Sequence, residues 1–307
     1  NEAMQQVEED LGHVKKPAKV ITVFSAKGGV GKTTIACELA TFLSLTNHGK
    51  GKFRVCLVDY DLMFGDILST LNFNPNQANM MDWIADLDKK HKAGQEWNAI
   101  SYDAGQIERF LQKKEESGLY SLIAPITNFD YMKISNEEIV NLCGTMLRNI
   151  VENGDFDFVI VDTGNNIEDA TYVSLERADE ILLILTQSMN SANCNNNFLN
   201  TMNHLEFDLS KIRIVINKAK PAKGVGISVN ELQEALKNPV TNQPFECYAK
   251  IKDNDAVQNA ENIGEPMVYK SSHEFTKSIG EVAHHVIGDT FVLAKPKKKR
   301  FSFFRKK

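Results

Sequence analysis

The chain has 307 residues, 42% of them hydrophobic and 24% charged, with 8 prolines and a formal net charge of −5. That is enough to bury one large core of α/β type. Five scattered cysteines (Cys37, Cys56, Cys143, Cys194 and Cys247) with no C-x-x-C pair exclude a disulfide framework and a zinc site, and point to a reducing compartment. No apolar run approaches the roughly 20 residues that a membrane-spanning helix needs, and no signal peptide opens the chain.

Residues 1–17 read as a charged leader or linker. With no initiating methionine, the expectation is a processed or shortened chain with a further domain upstream. One main domain is expected over 18–290. Its first apolar strand, 19–24, runs into Lys27-Gly28-Gly29-Val30-Gly31-Lys32-Thr33-Thr34, and apolar residues at helical spacing follow over 33–45. A glycine-rich loop between a strand and a helix N-terminus is a phosphate cradle. Its backbone N–H groups and the helix dipole attract phosphate, Lys32 reaches the β- and γ-phosphates, and the Thr33 hydroxyl is a Mg²⁺ ligand. The ligand expected is ATP with Mg²⁺.

A second buried strand, 53–58, ends in Asp59-Tyr60-Asp61-Leu62-Met63-Phe64-Gly65-Asp66, which puts acids at the carboxyl edge of the sheet, where open α/β sheets bind ligands. Strand 119–124 and helix 135–151 lead to a third such strand, 156–161, followed by Asp162-Thr163-Gly164-Asn165-Asn166. Asp162 looks like a Walker B carboxylate, holding Mg²⁺ through water or through Thr33. Strand 180–186, helix 192–205, strand 211–216 ending in Asn217-Lys218, helix 229–236 and helix 273–287 complete the alternation. Strand–helix alternation predicts a doubly wound, mostly parallel sheet with helices on both faces. The asparagines at 193 and 195–197 suggest no function, and His284-His285 reads as surface rather than metal site.

Ala26 occupies the first glycine position of the ordinary phosphate-loop pattern, and Lys27 follows it. This deviant loop resembles that of the ParA/MinD superfamily of dimerising ATPases. The resemblance spans about 18–290. It implies that Lys27 crosses into the partner's site of an ATP-dependent homodimer, that Asp61 positions the attacking water, that Asp59 lies near the Mg²⁺ shell, and that Asn217 reads the adenine edge. A plain strand-end turn is the alternative for Asn217. Many relatives carry a proline pair after the Walker B aspartate, where this chain has Gly164 and Asn165. The run Asp61-Leu62-Met63-Phe64-Gly65-Asp66 is similar to the D-L-x-F-G-D segment of the CpaE/TadZ branch, which serves Tad (Flp) pilus assembly and commonly carries a receiver-like domain ahead of the ATPase. That branch implies pilus or secretion assembly proteins as partners. It also implies a cytoplasmic protein placed peripherally at the inner face of the cell membrane, often at a pole.

Residues 295–307 hold eight basic side chains and no acid, so residues 1–294 carry 27 basic against 40 acidic. An acidic body disfavours non-specific DNA binding. The tail, 291–307, interleaves lysines with Phe301, Phe303 and Phe304, a composition suited to an anionic membrane surface, since each cation near it contributes roughly 1 kcal/mol. A solubilising tail is the plainer alternative. Three functions therefore compete: a pilus-assembly positioning ATPase, a MinD-like or flagellar-number regulator at the membrane, and a DNA-partitioning ATPase. A nitrogenase-type reductase would need cluster-ligating cysteines, which these five do not provide.

Overall fold

Among the described residues the main sheet has strands β1 (Lys19–Phe24), β2 (Val55–Tyr60), β3 (Gln112–Lys113), β4 (Tyr120–Leu122), β5 (Phe158–Thr163), β6 (Glu180–Leu185), β7 (Ile212–Ala219) and β8 (Cys247–Lys252). The longer helices are α1 (Lys32–Leu45), α2 (Met80–Lys92), α3 (Asn136–Asn153), α4 (Asp169–Arg177), α5 (Met189–His204), α6 (Asp255–Ile263) and α7 (Glu274–Ile287). The structure is a computed structural model that describes residues 16–49, 51–132, 134–220 and 227–288. The basic tail, and all of the leader but Lys16 and Pro17, lie outside them.

β1 is buried at every position from Val20 onward, as befits a strand covered on both faces. Its side chains alternate between layers. Ile21 and Val23 enter the core formed with α1, α6 and α7, whereas Val20 and Phe24 enter the cores beneath α2 to α5. The spatial order is β8-β7-β6-β1-β5-β2-β4-β3. Every pairing is parallel except that of β3 with β4. The chain winds to one side of β1 and then to the other, so the loop after β1 opens at the point where strand order reverses. The doubly wound parallel architecture expected from the alternation is what the chain forms.

Boundaries differ from the hydropathy reading at one place that matters. β2 and β5 each start and end two residues later than expected, so Asp59 and Asp162 are strand residues in direct register, with Tyr60 opposite Thr163 one step on. Hydropathy ends a strand at the first charge, but here the ladder continues through two buried aspartates. α2, β8 and α6 are elements beyond the hydropathy reading; α2, for example, buries only Met80, Trp83 and Leu87. The sheet edges are short or irregular. β3 has two residues, and β8 shifts register twice against β7 while α7 packs across it.

α1 contributes a buried acid as well as apolar contacts. Glu38 is 4% exposed and accepts the backbone N–H groups of Met267 (2.7 Å) and Val268 (2.9 Å), anchoring the segment between α6 and α7. Burial pushes its carboxyl from 4.5 up to about 7, against the pull of those two donors. The folded chain therefore holds this proton more tightly than the unfolded chain does. The contribution to stability is complete below pH 4.5, declines as pH rises to about 7, and is level above that. Glu38→Gln should make urea-denaturation stability fall less steeply over this window, by about 3 kcal/mol at most from a shift of this size.

Candidate nucleotide site

The phosphate loop is built by the strand before it and pinned by side chains from elsewhere. Ser25 is buried at the end of β1, and its hydroxyl accepts the Lys27 N–H (3.3 Å). Asn195 of α5, fully buried, accepts the Ala26 N–H through Oδ1 (3.1 Å) and donates to Ser191 O (2.8 Å). At the other end of the loop, Asn217 donates to Val30 O (2.8 Å) and Lys218 Nζ to Gly29 O (3.1 Å). Gly31 has φ +90°, and a Cβ there would stand 2.5 Å from Asn217 Nδ2. Only glycine fits that position without moving its neighbour.

α1 begins without a cap. Gly31 offers no side-chain acceptor and the first turn holds no acid, whereas α2, α3, α5, α6 and α7 all have side-chain caps. The first N–H groups of α1 are therefore left for an external anion, with the helix dipole behind them.

Facing them are the carboxylates. Asp59 and Asp162 lie side by side on β2 and β5, both fully buried. Asp59 is hydrogen-bonded, accepting from Ile67 N (3.3 Å) and Asp61 N (3.3 Å). Neither oxygen of Asp162 has a partner within hydrogen-bond geometry, although the Thr33 hydroxyl and the Thr163 N–H lie near enough to favour its charge. Burial pushes both carboxyls well above the carboxylate range, and the charge of Asp162 adds to the effect on Asp59. The Thr33 hydroxyl and the Lys32 ammonium draw Asp162 partly back. A buried carboxylate without partners, beside the Thr33 hydroxyl at the end of a phosphate cradle, fits a hard cation that prefers oxygen ligands and keeps part of its water shell.

Asp61 is partly exposed on the same edge. Its Oδ1 accepts the Phe64 N–H (3.2 Å), and a Cβ on Gly164 would lie 3.7 Å from it. Burial raises its carboxyl, while the Phe64 N–H and Lys32 oppose the rise. Gly65 lets this loop return to the sheet, because a Cβ there would meet Ala124 Cβ at 2.5 Å and Asp59 Oδ2 at 2.7 Å. Beyond β5, the Asn165 side chain stands beside Gly28, 3.8 Å from a Cβ built there. Gly164 and Asn165 thus sit between Asp61 and the loop.

Lys27 is half-buried, and its Nζ donates to the hydroxyl of Ser188, the N-cap of α5 (3.2 Å). Within one chain it bends toward its own α5. Thr34 donates from its hydroxyl to Glu261 of α6. The structure thus gathers Lys27 to Thr34, Asp59, Asp61, Asp162 and Asn217 at one sheet edge. Sequence reasoning missed Asn195, Ser188, Lys218 and Glu261. The asparagine run at 195–197 was the visible signal for the first, and nothing in the linear sequence pointed to the others.

Residues 18–214 match the family model described as an AAA domain (AAA_31). The chain belongs to this family. Relatives of similar length include the septum site-determining protein MinD of Thermotoga maritima, 23% identical over 276 residues that make up 88% of each chain. MinD of Escherichia coli K12 is 23% identical over 287 residues, covering 89% of this chain and 92% of the relative. Among solved structures, a ParA family ATPase from Chlorobium tepidum superposes with a TM-score of 0.69 at 23% identity over 86% of this chain and 98% of its own. The MinC:MinD cell division complex of Aquifex aeolicus gives 0.68 at 20% identity over 91% and 99%. MinD of Pyrococcus horikoshii, solved with Mg-ADP, gives 0.65 at 15% identity over 88% and 96%. These likenesses establish the ParA/MinD-type fold. The family match ends at 214, so Asn217 and Glu261 lie past the matched span.

Two substitutions test the site. Asp162→Asn removes a buried charge without partners, and should raise the urea-denaturation stability of the nucleotide-free protein at pH 8 by about 1–3 kcal/mol while abolishing Mg²⁺-dependent nucleotide binding measured by calorimetry. Asn195→Ala strips the Ala26 N–H of its acceptor and should cost about 1–3 kcal/mol in the same denaturation assay.

Proposed function

We propose that this chain is a Mg-ATP-dependent switch ATPase that dimerises with ATP and positions a larger assembly at a surface. The observation that carries the reading is the Asp162 carboxylate, buried and without partners at the end of the uncapped phosphate-binding helix. Thr33 and Asp162 would hold Mg²⁺, with Asp59 in support. The ion would supply charge neutralisation at the β- and γ-phosphates. Lys32 binds phosphate oxygens, the first turn of α1 orients them, and Asp61 accepts a hydrogen bond from the attacking water. Asn217, which lines the cavity beside Thr34, is the candidate for reading the base.

Lys27 is the candidate for trans action. Its bond to Ser188 goes to an uncharged hydroxyl, a weaker partner for an ammonium than the anionic oxygens that phosphate offers. A second copy docked on the sheet's carboxyl edge would therefore find this ammonium ready to change partners.

The destination has two readings. The run from Asp61 to Asp66 supports the CpaE/TadZ pilus-assembly branch, and its geometry explains why glycine stands at 65. The MinD relatives, aligned over nearly the whole chain, support a MinD-like positioning role equally well. Both readings use an anionic membrane as the platform, with the tail at 291–307 as the contact. Phe64, 72% exposed next to Asp61, offers a protein partner an apolar contact beside the hydrolytic centre.

Lys27→Ala should bind Mg-ATP with near-normal affinity by calorimetry but remain monomeric with ATP in gel filtration and lose ATPase turnover; unchanged turnover removes the trans role. Co-sedimentation with anionic vesicles should require ATP and residues 295–307, and pelleting with duplex DNA instead would move the protein to the partition class.

A further inference from the structure

Thr34 has one hydroxyl proton, and a carboxylate can only accept. In this structure the proton goes to Glu261 Oε1, while Gln258 Nε2 donates to Oε2 (3.1 Å). Thr34 stands in the first turn of α1, the turn left uncapped for phosphate. Glu261 therefore places a carboxylate at the anion-attracting end of the phosphate-binding helix. It also lines a cavity of about 210 Å³ with Thr34, Asn217, Lys218 and Asn254, which continues from the loop toward the region proposed above for the nucleoside.

Two consequences follow from charge and donor count. A phosphate that recruits the Thr34 hydroxyl must take it from Glu261, because one proton cannot serve both. The carboxylate also repels the incoming phosphates at short range. We infer that Glu261 is a positioning residue that sets nucleotide affinity through Thr34, holding the hydroxyl until phosphate displaces it. The displaced side chain belongs to the last turn of α6, and the backbone is fixed at that same end. Gly264 closes against Asn72, where a Cβ would be 2.5 Å from Asn72 Cβ, and Glu38 anchors the Met267 and Val268 amides just beyond. Release of Thr34 therefore moves the Glu261 side chain while the helix end that carries it stays in place.

This inference rests on the nucleotide-binding reading above. The test is calorimetric titration of Mg-ADP into the full chain as wild type, Glu261→Gln, Glu261→Asp and Glu261→Ala, with Thr34→Ala and Thr34→Ala/Glu261→Gln beside them and steady-state ATPase kinetics alongside. Glu261→Gln and Glu261→Ala should tighten ADP binding roughly fivefold or more. Glu261→Asp should stay near wild type. KM for ATP should fall in parallel while kcat changes little, and the gain should shrink once Thr34 is alanine. A purely structural role would weaken binding or leave it unchanged in all three variants, and either result overturns the inference while the nucleotide-binding reading stands. Failure of the wild-type chain to bind ADP or ATP would overturn both.

Discussion

The fold depends on one arrangement at the carboxyl edge of the sheet, where a glycine-rich loop that cannot hold itself is tied down by its neighbours. Asn195 fixes its entry, and Asn217 and Lys218 fix its exit. Each of these bonds joins the loop to an element distant in sequence, so the cradle exists only once α5 and β7 have docked. Preorganised donors cost nothing at the moment of binding. The expense lies in folding: three polar side chains are committed to backbone atoms of a loop whose own apolar contribution is the single buried residue Val30.

The paired aspartates act in the opposite direction. Two carboxyls in register and out of water strain a pairing in the interior of the sheet, and burial raises both toward neutrality. The hydrophobic layers on either face of β1, β2 and β5 outweigh this, since each fully buried aliphatic side chain contributes about 1.5–3 kcal/mol and these strands bury many. A ligand that neutralises the pair relieves the strain and adds its binding free energy to stability. On the proposed function, the same two residues serve the ligand and cost the unliganded fold.

Much of this was legible in the linear sequence. The alternation of apolar runs with helical periodicity identified a doubly wound sheet, because buried parallel strands are continuous in hydrophobicity and their crossover helices are amphipathic. The loop, Asp59, Asp61 and Asp162 were visible because their spacing after apolar strands is set by local geometry. The supports were hidden because they act across long separations: Asn195 lies 169 residues from Ala26 and Glu261 lies 227 from Thr34. Helix α6 spans only Asp255–Ile263 and buries one residue, so its regular apolar spacing says nothing of the cradle that it borders. Strand ends were misplaced where buried acids continue a ladder, since hydropathy counts such residues as loop.

The sheet's two margins have a consequence for assembly. One ends in a two-residue antiparallel strand, and the other is bulged twice and roofed by a helix. Neither offers the long, regular row of free amides and carbonyls onto which another chain's strand could zip. Copies of this protein are thus denied the slow, cumulative growth of edge-to-edge sheets. Among the described residues a partner would meet side-chain surface, and contacts of that kind are quickly made and undone.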